Sequence, residues 1–149
     1  MDFGVLYVDD EIHNLNSFKA AFRRDFNIHV AQSAREGRKI LDQNEIAVIV
    51  TDQRMPGMTG IEFLESIIPV YPDTIRILLT GFSDINAVMD AINRGQVYKY
   101  LVKPWADEEL KMYIQNAIEI YHLRKENREL SQKLEKANKQ LEALTKTKL

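Results

Sequence analysis

Hydrophobic and polar positions follow two periods along this chain. Short, nearly continuous apolar runs near residues 4–8, 27–31, 46–51, 74–79 and 97–102 have the pattern of strands buried on both faces. Between them the spacing changes to three and four. Leu15, Phe18 and Phe22 mark one face of a helix over 12–24. Ser33, with Glu36 three residues later, forms a capping box that opens a second helix. The loop Met55-Pro56-Gly57-Met58-Thr59-Gly60 is full of turn residues and delivers the chain to a third helix at Ile61. Pro72-Asp73 marks a turn, and a fourth helix over 84–93 is closed by Gly95. Pro104 stops the fifth strand, and Asp107 caps the last helix. Five strands alternating with helices predict an α/β fold, a doubly wound five-stranded parallel sheet with helices on both faces.

The last helix contains neither proline nor glycine from Asp107 to Leu149. Leu110, Ile114, Ala117 and Tyr121 are spaced to pack on the sheet. From Ile120 the pattern becomes a heptad, with Ile120, Asn127, Leu134 and Leu141 at a and Leu123, Leu130, Ala137 and Leu144 at d. A single solvated helix needs no leucine seam, so the extended C-terminal helix is expected to form a coiled coil. Asparagine at an a position lowers stability but selects a parallel two-stranded register. A parallel homodimer is therefore expected, with Glu119 of one helix reaching Arg124 of the other. Glu129–Lys133, Glu135–Lys139 and Glu142–Lys146 are i,i+4 pairs in the favourable order, worth a few tenths of a kcal/mol each. The chain divides at this point into a domain over 1–121 and a coiled-coil linker or dimerisation helix over 122–149.

Composition changes this picture little. The chain has 149 residues and a net charge of −2, enough for one domain and an appendage. Acidic residues predominate up to residue 119 and basic ones after it. The basic tail is read as a solvated helix face, with no direct nucleic-acid contact by this segment. With no cysteine, disulfides and thiolate metal sites are excluded. No apolar stretch reaches membrane-spanning length, and a cytoplasmic protein is expected.

The chemistry gathers at strand ends. The first strand runs into Asp9-Asp10-Glu11, the third into Asp52, the fourth into Thr80-Gly81 and the fifth into Lys103-Pro104. Parallel strands place all four ends on the edge where open α/β sheets bind ligands. Three carboxylates meeting there repel one another unless a cation neutralises them. Mg²⁺ suits such a site, with Asp10 and Asp52 as ligands, Asp9 acting largely through water, and the backbone carbonyl of Arg54 completing the shell. Asp52 beside the ion could attack phosphorus, while Thr80 and Lys103 hold the phosphoryl oxygens.

Val8-Asp9-Asp10-Glu11, Thr51-Asp52-Gln53-Arg54-Met55-Pro56-Gly57-Met58-Thr59-Gly60, Leu79-Thr80-Gly81 and Tyr100-Leu101-Val102-Lys103-Pro104 resemble the receiver domain of two-component response regulators, in order, over about residues 3–121. The resemblance implies a flavodoxin-like receiver fold and a phospho-acceptor, Asp52, served by a sensor histidine kinase. It implies Mg²⁺ on Asp9 and Asp10, phosphoryl contacts from Thr80 and Lys103, and a cis Lys103–Pro104 peptide. Tyr100 occupies the family's switch-aromatic position. Such a domain is a signalling module that catalyses only its own phosphoryl transfer and dephosphorylation. Gly81 departs from the commoner alanine. Arg54 and Phe82 flank the path of the attacking water, so a bulky Phe82 would shield the phosphoryl group. The stretch from Pro72 to Trp105 is similar to receivers joined to transcription activators, cyclic-di-GMP phosphodiesterases, nucleotide cyclases or phosphatases. That similarity implies an output domain outside this chain.

Three other readings compete. A dehalogenase-type phosphatase needs an aspartate two residues after its nucleophile, where this chain has Arg54. A flavodoxin-like FMN carrier needs a phosphate loop where Asp9-Asp10-Glu11 would repel the phosphate. A receiver that no longer takes phosphate would have lost acceptor-site residues that are all present here.

Overall fold

Strands β1 (Gly4–Val8), β2 (Asn27–Ala31), β3 (Ile46–Asp52), β4 (Ile75–Thr80) and β5 (Lys99–Val102) form one parallel sheet in the order β2-β1-β3-β4-β5. The computed structural model describes residues 3–89 and 91–147. Met1, Asp2, Asp90, Lys148 and Leu149, which belong to the predicted domain, fourth helix and tail, lie outside the described residues.

Continuous apolar strands are explained by a core on each face of the sheet. Val5 and Tyr7 of β1, Val48 and Val50 of β3, and Ile77 and Leu79 of β4 point to one face. There they meet helix α1 (Ile12–Phe22) through Leu15, Phe18 and Phe22, and helix α6 (Asp107–Thr147) through Leu110, Ile114 and Ala117. Leu6, Val8 and Ile49 point the other way, onto helices α2 (Ala34–Gln43) and α3 (Gly60–Ile67). Leu78 packs beside them with Ile61 and with Val88 of α4 (Ile85–Met89). Every residue of β1, β3 and β4 is buried, including the charged Arg76. Its guanidinium donates to the carbonyls of Thr74 at 2.8 Å and Gln96 at 3.2 Å, which ties β4 to the turn before β5.

Several predicted boundaries shift. The fourth helix is a 3₁₀ turn over Phe82–Asp84, then α4, then α5 (Ile92–Gly95). Gly95 lies inside α5, and the left-handed residue that ends it is Gln96, at φ 47°. Asp107 is the first helical residue of α6 rather than its cap, and it joins Glu108 and Glu109 as acids favourable to that helix end. The Ser33 box is half made. Ser33 accepts the Glu36 N–H, but the Glu36 carboxylate reaches back to the N–H of Gln32 at 2.6 Å. The complete capping box is Thr59 with Glu62, a Thr-x-x-Glu signal present in the sequence but not drawn from it.

Helix α6 leaves the sheet near Tyr121 and is stapled as it goes. Tyr121 donates to Glu45 at 3.1 Å, and Lys125 pairs with Glu45 at 2.6 Å. Arg128 pairs with Asp73 at 2.9 Å, and Arg124 donates to the Asp73 carbonyl at 3.4 Å. Arg124 thus also has a partner within its own chain. Ile120 is half-buried against the domain core, so the exposed seam begins at Leu123 and continues through Asn127, Leu130, Leu134, Ala137, Leu141 and Leu144. Of the expected helix pairs, Glu135–Lys139 closes at 3.5 Å.

Gly60 is required by close approach. A Cβ there would lie 2.4 Å from the Asp52 carbonyl oxygen and 3.0 Å from Leu78. Gly60→Ala must move backbone and should destabilise the fold by about 2 kcal/mol in a denaturant titration, within the usual cost of overpacking. Gly95→Ala, whose Cβ would meet nothing nearer than 3.4 Å, is the control expected to leave stability almost unchanged.

Candidate functional site

Strand register builds the site. Val8 is paired with Thr51, so Asp9 emerges beside Asp52. Asp52 is paired with Leu79, and Thr80 with Val102, which carries Thr80 and then Lys103 to the same edge. This is where the strand order turns back, between β1 and β3. Oxygen atoms of Asp9, Asp10 and Asp52 lie within 4.8 Å of one another. Asp9 and Asp52 are buried, and Asp10 is exposed. Lys103 crosses from the end of β5 and donates to Asp52 Oδ1 at 2.8 Å. The peptide that follows, Lys103–Pro104, is cis.

Asp9 is tied down. Its Oδ2 accepts the Tyr7 hydroxyl at 2.6 Å and the Asn14 amide at 3.0 Å, and its Oδ1 accepts the Glu11 N–H at 3.0 Å. Thr80 is not. Its Oγ1 is buried without a hydrogen-bond partner in the structure described. Gln53 closes the loop after Asp52, its carbonyl accepting the Gly60 N–H at 3.0 Å and its side chain the Ile61 N–H at 2.9 Å. Tyr7, Asn14 and Gln53 were absent from the sequence-based site. A tyrosine two residues before a strand-end aspartate, on the same face, is the signal that could have found the first.

Burial, the largest influence on Asp52, raises its pKa above the ordinary carboxylate value. Lys103 opposes that shift, and the neighbouring Asp9 adds to it. Oxygen-only donors, two of them buried and mutually repelling, fit a hard divalent cation.

The chain matches the model of the response regulator receiver domain over residues 5–115. It belongs to the receiver domain family. It is 34% identical over 115 residues to the hydrogenase transcriptional regulatory protein HoxA of Cupriavidus necator, a match covering 77% of this chain but 24% of that protein. Among solved structures, it superimposes on a chain described as adenylate cyclase from Rhodopirellula baltica with a TM-score of 0.83 and 32% identity, covering 89% of this chain and 99% of that one. A receiver domain protein from Clostridium thermocellum gives 0.75 and 31%, covering 81% and 98%. No helix among the described residues is long and apolar enough to cross a membrane.

The other residues singled out in this receiver fall around the site. Tyr100 is half-buried, packed against the cluster of Ile61, Leu78 and Val88. Arg54 spans the mouth of the site to Asp84 at 2.7 Å. Phe82, expected to shield the phosphoryl group, is 83% exposed.

The raised Asp52 pKa has a consequence for the cation-free receiver. The folded state holds that proton more tightly than the unfolded chain does. Asp52 therefore favours folding below the ordinary carboxylate range, and this contribution is lost as pH rises through its folded-state value. Asp52→Asn should melt a few degrees above wild type at roughly neutral pH in chelator, with the margin shrinking towards about pH 4. Equal margins at both pH values would remove burial and repulsion as the cause.

Proposed function

We propose that this receiver accepts a phosphoryl group on Asp52 from a sensor histidine kinase, in the cytoplasm, and relays the change along α6 through a parallel coiled-coil dimer to an output domain. The observation that carries this reading is Thr80. A buried hydroxyl without a partner costs about 1–3 kcal/mol. A phosphoryl oxygen arriving on Asp52 would satisfy it.

A carboxylate oxygen of Asp52 attacks phosphorus as the bond from phosphorus to the kinase imidazole nitrogen breaks. That nitrogen leaves with the bonding electrons, and Asp52 becomes an acyl phosphate. Lys103 then shares its ammonium with the new oxygens, and Thr80 donates to them. Asp10, Asp52 and the Arg54 carbonyl would hold Mg²⁺, with Asp9 acting through water. When bound, the ion neutralises charge on the phosphoryl oxygens. The domain catalyses only this transfer onto itself and the later loss of phosphate.

Movement of Thr80 towards the phosphoryl group opens space behind it for the Tyr100 ring. The face of α4, β5 and α6 then repacks, and α6 carries the change to the seam. The apolar run at Leu123, Leu130, Leu134, Leu141 and Leu144 is exposed in the single chain, which supports a second copy of the helix as its occupant. The transcriptional regulatory protein among the relatives is about four times longer than the matched segment, which supports an output module as the receiver's effector.

Incubation with Mg²⁺ and acetyl phosphate should add one phosphate to the wild-type mass and none to Asp52→Ala. Failure to label, where a known receiver is labelled, would leave only an interaction module. Sedimentation equilibrium should show a dimer that Leu130→Lys with Leu134→Lys converts to monomer. A monomeric wild type at high concentration would remove the coiled coil.

A further inference from the structure

Asp9 is a fully buried carboxyl group at a strand end, so its position depends on its donors. Two of the three are side chains. The Tyr7 hydroxyl reaches Oδ2 at 2.6 Å and the Asn14 amide reaches the same oxygen at 3.0 Å. Strand period puts Tyr7 and Asp9 on one face of β1, so the ring lies back along the face and its hydroxyl meets the carboxylate. The ring itself is fixed, stacked on Phe18 of α1 with centroids 4.1 Å apart and planes 8° from parallel. Asn14 comes from the first turns of the same helix. Tyr7 and Asn14 also wall a cleft of about 200 Å³ together with Lys103 and Trp105, so the groups that hold Asp9 and the group that holds Asp52 share one space.

We propose that Tyr7, seconded by Asn14, is a positioning residue for divalent-cation binding: its buried hydroxyl fixes the Asp9 carboxylate in the orientation that offers it to water on the cation. An inward apolar residue at this position would fill the same core volume. It would leave Asp9 with one fewer donor, free to turn and to press its charge on Asp52. Hydrogen-bond partners of metal-site carboxylates commonly govern metal affinity in this way. The inference rests on the reading of Asp9, Asp10 and Asp52 as the Mg²⁺ site.

The test is calorimetric titration of the full chain with MgCl₂, no phosphodonor present. Tyr7→Phe keeps the stacked ring and should weaken Mg²⁺ binding about tenfold while the melting temperature stays within a few degrees. Asn14→Ala, at a half-exposed position, should weaken it about threefold, and it carries the test if the first variant does not fold. In an Asp9→Asn background, Tyr7→Phe should change the dissociation constant less than twofold. A twofold or smaller effect of Tyr7→Phe in the wild-type background overturns the inference, as does equal weakening in both backgrounds, which marks a purely structural role. If the wild type shows no Mg²⁺ binding that Asp52→Asn abolishes, the site reading itself fails and the inference falls with it.

Discussion

The 2.8 Å bond from Lys103 to Asp52 joins the end of β5 to the end of β3 across the end of β4. It sets the state from which everything else at this edge departs. Asp52 ends a strand buried along its whole length, so its charge is held by a partner rather than by water. One ammonium faces two buried carboxylates, with a third exposed beside them. That leaves the edge short of positive charge, and the neighbouring Asp9 adds to the burial that chiefly raises the Asp52 pKa. A cation relieves it from one side. On the proposed reading, a phosphoryl group would draw Lys103 from the other. The site is thus balanced between partners, not saturated by one, and Thr80 with its unpaired hydroxyl is the second open place.

Energy scales decide what such a site can drive. Couplings between sites commonly lie at about 1–3 kcal/mol. The staples that fasten α6 to Glu45 and Asp73 are half-exposed ion pairs, which are individually weak. On the proposed reading, a change at this edge would therefore be large enough to loosen or re-seat them. Because α6 has Leu110, Ile114 and Ala117 locked in the core and Arg124, Lys125 and Arg128 held only at its surface, its first turns are fixed and its exit is adjustable. The helix that builds the core also leads into the seam.

The sheet was legible in the sequence because burial on both faces leaves unbroken apolar runs, and parallel strands require every crossover to return their ends to one edge. Asp9, Asp10, Asp52, Thr80 and Lys103 followed from that geometry alone. What stayed hidden depended on side-chain reach. Tyr7 looked like one more core residue, since nothing in strand periodicity tells whether a buried hydroxyl finds a carboxylate. The partners of Arg76 within its buried strand were equally hidden, since its guanidinium reaches the carbonyls of Thr74 and Gln96. Gly95 misled because glycine is the usual left-handed cap, whereas the turn here uses Gln96 and packs Gly95 against Ile61 and Leu64. The staples were missed because they pair residues more than forty positions apart.

The two walls of the site are unequally built, and this decides where a response can occur. On one side Gln53 clamps the loop after Asp52 at two points, Gly60 touches the Asp52 carbonyl, and α3 buries Gly60, Ile61, Phe63, Leu64 and Ile67. Moving that wall means opening the core. On the other side the chain passes through a 3₁₀ turn and two short helices, among which Val88 and Gly95 are the buried residues described, and Phe82 stands in solvent. Local stability follows buried contact, so segments of this kind are the first to rearrange. Thr80 and Tyr100 both border the weaker wall. On the proposed reading, a change of partner at Asp52 would therefore move α4 and β5 before α3, and α6, whose Tyr113 packs on Lys99 of β5, would receive it.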